Sequence, residues 1–186
     1  SARELLSVGV TSAQSLGARH YVDVAVRDAI DNGDVRGPRI IASGPQITTT
    51  GGHSHHAGAE VDSLDQIRYE VRHHHKMGVD TIKVMATGGF MTDGSAPWFA
   101  QFTTEELRVL FDEAHRLGRW TAAHAHGTQG IERAVRAGVD YIAHASFVSA
   151  AGRSEFDPHL ADEMARAGVY VDCTIVADLP AIIAAD

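Results

Sequence analysis

Amphipathic segments and short apolar segments alternate along most of the chain, and this alternation is the feature that most restricts its fold. In four places an amphipathic segment ends at a glycine and an apolar segment follows at once, at Gly78, Gly118, Gly138 and Gly168. Glycine is the usual stop signal at the C-terminus of a helix. About six β-α units in strict order therefore predict a parallel sheet with right-handed crossover helices.

The predicted elements follow this pattern from one end of the chain to the other. Helices are expected at 2–7, 21–32, 64–77, 103–117, 130–137 and 157–167. Strands are expected at 8–16, 39–43, 80–85, 120–125, 141–145 and 169–173, with long loops at 44–62 and 88–102. Thr103 and Glu106 form a capping-box pattern at the start of their helix, because their side chains are three residues apart.

This order of elements fits either a doubly wound sheet or a (β/α)8 barrel, both of the α/β class. The barrel is favoured because no glycine-rich phosphate fingerprint follows the first strand and the chemically interesting residues fall at the C-terminal ends of several strands. A complete barrel needs roughly 250 residues. The chain has 186 and shows no linker. The prediction is one partial barrel domain over residues 1–186, without its first and last β-α units.

Composition excludes several classes of partner. The formal net charge of −8 argues against a nucleic-acid-binding surface. No apolar run approaches the roughly 20 residues needed to cross a bilayer, so no membrane partner is expected. The single cysteine, Cys173, excludes an internal disulfide and is predicted to be a small core residue on a strand. The chain begins without methionine, so its start does not reveal localisation, and a cytoplasmic location is the default expectation.

Lys83 lies in the middle of an apolar strand, within a stretch, 80–89, that ends in the pair Gly88-Gly89. A lysine on such a strand must find a partner for its charge, lose the charge or be chemically changed. The double glycine allows the backbone to pass closely over whatever lies at the end of the strand. Taken alone, the pattern also fits a lysine that reaches past the sheet or pairs with a carboxylate.

His124 and His144 each come near the end of the next two apolar strands, so three successive strands present Lys, His and His toward one end of the sheet. Imidazole is a common ligand of Zn²⁺. Spacing alone leaves a metal site and hydrogen-bonded core histidines as alternatives. His53, in the first long loop, and His126 are candidates for substrate contact or for fixing a loop. His126 faces the same way as His124 only if its strand stays extended.

The remaining histidines carry no comparable signal. His73, His74 and His75 are consecutive in a predicted helix, where neighbouring side chains point about 100° apart, so they are expected on a solvated helix face. The others are expected at the surface or in ordinary packing, namely His20, His55, His56, His115 and His159.

Six motifs, taken in order, resemble the amidohydrolase superfamily and within it the imidazolonepropionase-like and prolidase-like (Xaa-Pro dipeptidase-type) branch. They are Gly9-Val-Thr, Gly37-Pro-Arg-Ile-Ile-Ala-Ser-Gly, Thr50-Gly-Gly-His, Ile82-Lys-Val-Met-Ala-Thr-Gly-Gly, Ala123-His-Ala-His-Gly and Tyr141-Ile-Ala-His. The resemblance covers nearly the whole chain, from the second to the seventh strand of the barrel. It implies a metal-dependent (β/α)8 barrel with one or two divalent ions, most often Zn²⁺, at its C-terminal face.

The resemblance also implies roles for individual residues. Lys83 corresponds to a lysine that CO2 converts to a carbamate bridging two metals, and His124 and His144 correspond to ligands of the second metal. In the leading hypothesis His53 and His126, placed by their loop and strand-end positions, would face the substrate. The family's His-X-His pair would lie upstream of Ser1 and its general-base aspartate beyond Asp186. The chain would then hold no catalytic base and would be inactive by itself.

The expected function is a segment of a hydrolase that cleaves C–N amide bonds of dipeptides or N-acyl amino acids with metal-activated water. One alternative is an imidazolonepropionase-like hydrolase of cyclic amides with one metal and an unmodified Lys83. Another is a non-catalytic metal-binding or assembly module. A small peptide or amide is the expected substrate. Homo-oligomers are expected because a partial barrel exposes sheet edges and an apolar face.

Overall fold

A computed structural model of the chain describes residues 1–174. The strands are β1 (Ser12–Gln14), β2 (Arg39–Ile41), β3 (Ile47–Thr48), β4 (Ala59–Glu60), β5 (Thr81–Met85), β6 (Trp120–Gly127), β7 (Tyr141–Val148) and β8 (Tyr170–Asp172). The helices are α1 (Ala2–Ser7), α2 (Val22–Asp31), α3 (Leu64–Lys76), α4 (Thr104–Arg116), α5 (Thr128–Ala137) and α6 (Pro158–Ala167). The alternation of strand and helix is therefore as predicted.

All of the strand pairs in this part of the chain that form ladders are parallel. One sheet has the order β4-β3-β5-β6-β7-β8, and β1 pairs with β2 in a second, two-stranded sheet. The two sheets meet where the backbone N–H groups of Asp80 and Thr81 donate to the carbonyl oxygen of Ala42, at 2.8 and 3.3 Å. β2 therefore lies between β1 and β5 in one curved parallel arrangement, which is a partial barrel.

The two faces of the sheet differ in what they contact. One face packs against the helices and supplies the hydrophobic core, with Ile82, Val84, Ala123, Ala125 and Ile142. The residues that alternate with them along the strands lie outside that core and point to the other face. They are Lys83, Met85, Ala122, His124 and Ala143. The second face is the interior side of a barrel, and it carries the candidate site residues Lys83 of β5 and His124 of β6.

Local sequence signals explain how the helices begin and end. The Thr103 hydroxyl accepts from the N–H of Glu106 at 3.2 Å, while the Glu106 carboxylate accepts from the N–H of Thr103 at 2.7 Å. This reciprocal capping box starts α4 as predicted. Gly138, which ends α5, has a φ of +94°, a left-handed conformation that glycine adopts without a steric penalty.

Two aspartates repeat one structural role, which the sequence analysis did not identify. Asp80 and Asp140 each come two residues after a helix-ending glycine and directly before a strand. The Asp80 carboxylate accepts from the N–H of Ala42 at 2.8 Å. The Asp140 carboxylate accepts from the N–H of Thr121 at 2.7 Å and from its hydroxyl at 2.8 Å. Each carboxylate thus links the start of its own strand to a neighbouring strand, to the end of β2 for Asp80 and to β6 for Asp140.

The structure also corrects several expectations. His74 does not lie on a solvated helix face: its exposed fraction is 0%, because it sits on the inner face of α3 against the loop after β2. Cys173 is exposed rather than part of the core. β6 and β7 each extend beyond their predicted ends, and the loop at 44–62 contains the short strands β3 and β4. The apolar segment at 175–185 lies outside the described residues.

Among residues 1–174, no helix is long and apolar enough to span a membrane. The longest helices there, α3 and α4, have 13 residues each, against the roughly 20 that a bilayer requires.

Replacing Asp140 tests the link between strands. Asp140→Ala removes a charged acceptor from two groups of Thr121 and is expected to lower the free energy of unfolding by about 2 kcal/mol. Urea denaturation followed by circular dichroism measures this change. Asp34→Ala, at an exposed loop position, is the matched control and should leave the midpoint unchanged. Equal midpoints for the two variants would show that Asp140 does not hold the strands together.

Candidate metal centre

A cavity of about 550 Å³ opens at the C-terminal ends of β5, β6 and β7. Its polar lining is formed by His53, Ser54, Lys83, His124, His126, His144, Ser146 and Thr174. Its apolar lining includes Leu16, Met85, Phe90, Met91 and Ala143. All five residues predicted for metal or substrate binding therefore line one cavity.

A larger cavity, of about 700 Å³, lies at the opposite ends of the same strands. It is lined by residues such as Arg27, Arg39 and Asp80, and Arg27 pairs there with Asp80 at 2.7 Å. Arg27 and Asp80 neutralise each other and link α2 to the start of β5. Size alone would favour this cavity, but the groups suited to metal chemistry lie in the smaller one.

Lys83 is 3% exposed, and its side chain borders the smaller cavity. None of the ion pairs formed within residues 1–174 includes it. Burial lowers the pKa of Lys83 to about 7, and the negative charge of Asp172 opposes this shift. A substantial fraction of the amine is therefore uncharged near neutral pH, which is the form that reacts with electrophiles or binds a metal.

The orientation of His144 depends on a break in the regular strand. In the β6–β7 register, His144 is opposite Ala125, whose side chain packs on the helix side. Simple alternation would place His144 on that side too. Instead, φ is +79° at His144 and +46° at Ala145, and the register shifts between Ala125 and Gly127. This irregular backbone turns the imidazole into the cavity, 4.7 Å from the ring of His124.

His126 fulfils the condition set by the sequence analysis, because β6 continues as far as Gly127. Its side chain lies on the same face as that of His124, and its ring stacks on the ring of His144 at 4.3 Å and 18°. One ring nitrogen from each of His124, His126 and His144 lies within 4.8 Å of the others. The predicted pair of histidines is thus a cluster of three.

Each imidazole of this cluster has one nitrogen in a hydrogen bond to a protein oxygen. Nε2 of His124 donates to the carbonyl oxygen of Gly88 at 3.0 Å. Nδ1 of His126 is 2.8 Å from the hydroxyl of Ser146, and Nδ1 of His144 contacts the hydroxyl of Thr174. The second nitrogen of each ring is left for another partner. Metal-binding histidines typically show this arrangement.

The chemistry of these groups fits a divalent ion of the Zn²⁺ type. Three imidazoles and a lysine that can lose its proton supply nitrogen donors, and imidazole is a common Zn²⁺ ligand. Sequence reasoning missed the supporting hydroxyls: Ser146 lies on β7, two residues beyond His144, and Thr174 comes two residues after the end of β8. A search for hydroxyl residues just beyond each candidate ligand would have found Ser146 but not Thr174.

His53 packs against the cluster from the first long loop. It is 4% exposed, and its ring centroid is 4.6 Å from that of His124. Its backbone N–H donates to Gln101 at 2.6 Å, while Nδ1 is buried without a hydrogen-bond partner among the described residues. Gly89 allows this position, because a Cβ there would lie 2.4 Å from atoms of the His53 ring. The backbone therefore fixes the loop, and the ring remains available to a ligand.

The second long loop reaches the cavity through Phe90 and Met91. Phe90 is 72% exposed, Met91 is 85% exposed, and the ring of Phe90 meets that of His126 edge to face at 4.9 Å. Trp98 packs instead near Gly127 and Gly152. The loop therefore gives the cavity an apolar rim.

A second group of possible ligands, Glu70, His73 and His74, lies on α3. His74 is unsuited to bind an ion, because Nε2 is 2.6 Å from the carbonyl oxygen of Pro45 and Nδ1 is 2.9 Å from that of Glu70. Carbonyl oxygens occupy the space beside both nitrogens, so neither has room for an ion. This group anchors α3 to the loop after β2.

Burial determines the charge state of the cavity histidines. It lowers the pKa of His53, His124 and His144, and the positive charge of Lys83 lowers each of them further. Burial, followed by the charge of His144, lowers the pKa of His126 to about 4. All four rings are consequently neutral at pH 7, the form in which imidazole binds metals.

These shifts make the stability of the metal-free chain depend on pH. An unfolded histidine has a pKa of about 6.5, so between roughly pH 6.5 and 4 the unfolded state binds a proton that folded His126 does not, and stability falls as pH falls. Urea denaturation at several pH values should show a shallower loss for His126→Gln than for the unsubstituted chain. His159→Gln, on the exposed side of α6, should match the unsubstituted chain. The same slope in all three proteins would contradict the shifted pKa.

The lysine and histidines at the C-terminal ends of these parallel strands lie where enzymes with a (β/α)8 barrel have their active sites. Residues 1–185 match the model described as the amidohydrolase family, and the chain belongs to that family. This confirms the family that the sequence motifs indicated.

Three relatives illustrate the similarity. Ochratoxinase of Aspergillus niger is 33% identical over an alignment of 172 residues that covers 76% of this chain and 36% of the relative. A Xaa-Pro dipeptidase solved with methionine in its active site has a TM-score of 0.83 and 33% identity, covering 94% of this chain and 44% of that one. A putative prolidase from Bifidobacterium longum has a TM-score of 0.79 and 34% identity, with coverages of 96% and 43%. The chain spans less than half the length of each relative.

Proposed function

We propose that this chain forms the central part of the active site of a metal-dependent hydrolase that cleaves C–N amide bonds in dipeptides or N-acyl amino acids. The observation that carries the proposal is the convergence of Lys83, His124 and His144 on one cavity. The names of the relatives support the substrate class. They include a Xaa-Pro dipeptidase and a prolidase solved with N-methylphosphonate-L-proline.

In this proposal Lys83, His124 and His144 hold one or two divalent ions, with Zn²⁺ favoured by the imidazole donors. When bound, such an ion polarises a carbonyl oxygen and lowers the pKa of a water molecule. The chain's own contribution is to hold neutral imidazoles in fixed orientations. The hydrogen bonds to Gly88 and Thr174 provide this for His124 and His144.

We further propose that Lys83 is carboxylated. Its uncharged amine can add to CO2, forming an N–C bond and releasing one proton, which leaves a carbamate anion with two oxygen donors. The low pKa of about 7 makes the reactive amine available. The carbamate would also replace a buried cation by an anion beside the bound ions, so each would stabilise the other.

His53 is the residue whose geometry best fits a substrate contact. Its buried Nδ1 has no partner among the described residues and its ring borders the cavity, so a polar group of the substrate would satisfy it. The predicted substrate contact of His126 stays a prediction. As the family resemblance implies, the acceptor of the water proton would be the aspartate that ends the last strand of the complete barrel.

The one-metal alternative is also supported by a specific observation, because the three histidines by themselves offer ring nitrogens within 4.8 Å of one another. Self-association is proposed on separate grounds. Large apolar side chains are exposed near the strand starts and at the β8 edge, among them Ile41, Trp120, Tyr170 and Val171. Such surfaces favour contact with a partner chain.

The test of the proposed function uses the complete protein and a panel of dipeptides and N-acyl amino acids. Chelation should abolish hydrolysis and Zn²⁺ should restore it. Lys83→Ala should lower kcat/KM by about 100-fold or more, since two decades correspond to about 2.7 kcal/mol of lost transition-state stabilisation. Lys83→Glu should retain more metal than Lys83→Ala, because it restores an anionic oxygen donor.

Lys76→Ala is the matched control, since Lys76 lies exposed at the end of α3, on the helix side of the fold. It should leave both metal content and hydrolysis unchanged. Full hydrolysis after chelation, or an unchanged rate in Lys83→Ala, would rule out the proposed role of the metal and of Lys83.

A further inference from the structure

We propose that Gln101 is a positioning residue, whose side-chain amide holds His53 in place for its contact with the substrate. Gln101 lies near the end of the second long loop, 48 residues after His53, and none of the sequence motifs includes it. The inference rests on the proposed function, because it concerns how the substrate contact of His53 is maintained. It assigns Gln101 a role that acts through His53.

The amide of Gln101 joins three separate segments of the chain. Its oxygen accepts from the backbone N–H of His53 at 2.6 Å. Its NH2 group donates to the hydroxyl of Thr48, at the end of β3, at 3.1 Å, and to the carbonyl oxygen of Met85, at the end of β5, at 2.8 Å. One half-buried side chain therefore connects the first long loop to both strands.

These partners determine which way the amide points. A backbone N–H only donates and a carbonyl oxygen only accepts, so the amide oxygen must face His53 and the NH2 group must face Met85. The main chain at Gln101 is fixed as well, because its N–H donates to the carbonyl oxygen of Ala86 at 2.9 Å. The anchor of His53 is thus itself bound to the end of the strand that carries Lys83.

The backbone just before His53 passes so close to this amide that it leaves no room for a side chain. A Cβ at Gly52 would lie 2.9 Å from Oε1 of Gln101 and 2.5 Å from the hydroxyl oxygen of Thr48. Glycine is the residue that permits such a close approach. Gly52 therefore allows the hydrogen bond between Gln101 and the His53 N–H to form.

The ring of His53 depends on this backbone anchor. Nδ1 has no hydrogen-bond partner among the described residues, and the ring packs against His124 and close to Gly89. Packing alone does not fix the ring if the backbone of its own residue moves. Release of the bond to Gln101 should therefore weaken substrate binding although the imidazole is still present.

The test measures steady-state kinetics of the complete protein on the dipeptide or N-acyl amino acid that it cleaves fastest. Gln101→Met keeps the length of the side chain but lacks the amide. It should raise KM about 10-fold, roughly the effect of one lost hydrogen bond, with kcat nearly unchanged. The loop should stay attached, because Ser54 remains bound through Gln46 and Thr92. Gln129→Ala, at an exposed position on α5, is the control and should leave KM unchanged.

A double-mutant cycle separates positioning from a merely structural effect. If Gln101 acts through His53, then His53→Ala alone and His53→Ala combined with Gln101→Met should have the same KM, whereas two independent effects would multiply to about 100-fold. Gly52→Ala provides a second route, since its added methyl group displaces the loop from an intact Gln101. It should also raise KM, and this effect should disappear in the His53→Ala background.

Hydrogen exchange supplies a readout that needs no substrate. In Gln101→Met the backbone amide of His53 should exchange at least about 10-fold faster, because it has lost its acceptor, while the amides of β5 and β6 keep their protection. Mass spectrometry of overlapping peptides that end at or just before His53 measures this change. Protection of the two strands shows that the variant is folded.

The inference is overturned by an unchanged KM in Gln101→Met, by effects that multiply in the double variant, or by equal exchange at the His53 amide. Each of these results leaves the proposed function intact, because hydrolysis by the unsubstituted protein would still depend on metal. Failure of the proposed function would appear separately, as hydrolysis that persists after chelation or as no hydrolysis by the unsubstituted protein. The exchange measurement would then still decide whether Gln101 holds His53.

Discussion

The burial of Lys83 is the constraint on which the C-terminal edge of this sheet depends. Elsewhere in the chain buried charge is neutralised directly, as where Glu113 accepts from both Arg72 and Arg116. Around Lys83 the neighbouring groups are neutral imidazoles. The negative charge of Asp172 raises the pKa of Lys83, but the Asp172 carboxylate already accepts hydrogen bonds from the Tyr141 hydroxyl and the Thr174 N–H. A charged amine is costly in such surroundings. The site is therefore built for a lysine that loses its proton, is modified, or faces an ion.

The glycines show how closely the backbone must approach these side chains. A Cβ at Gly88 would lie 2.1 Å from the carbonyl oxygen of Ala96, and one at Gly130 would lie 2.1 Å from the methyl group of Thr87. Thr87 in turn accepts from the N–H of His126 at 3.0 Å. The loop after β5 and the start of α5 are thus packed against each other without space for a side chain. This contact fixes the position of β6 relative to β5 and hence of His124 relative to Lys83.

Much of the fold was predictable because its signals are local. Periodic apolar residues, helix-ending glycines and the Thr103 capping box each act within a few residues, and they gave the order and type of the main elements. Lys83 and His124 were also predictable, because both lie on regular strands of known alternation. Burial that depends on tertiary contacts could not be predicted in this way. His74, for example, is buried by a loop that is distant in sequence.

His144 shows most clearly what could not be predicted from the sequence. It was assigned to the site by its place after an apolar strand and by the family resemblance, yet the strand register alone would direct it away from the cavity. Only the positive φ values at the end of β7 bring it into place. No local sequence signal predicts these positive φ values, because neither His144 nor Ala145 is a glycine.

In the proposed metal site, this backbone strain would give the ion a role in folding as well as in chemistry. The three histidines come from two adjacent strands, and the carbonyl of Gly88 connects His124 to the loop that follows a third. An ion held by them would link these strands in the folded state and would find no such arrangement in the unfolded chain, so its binding energy would add to stability. The strained end of β7 would then be maintained by the ion that it helps to bind. Catalytic geometry and local stability would depend on the same ligand.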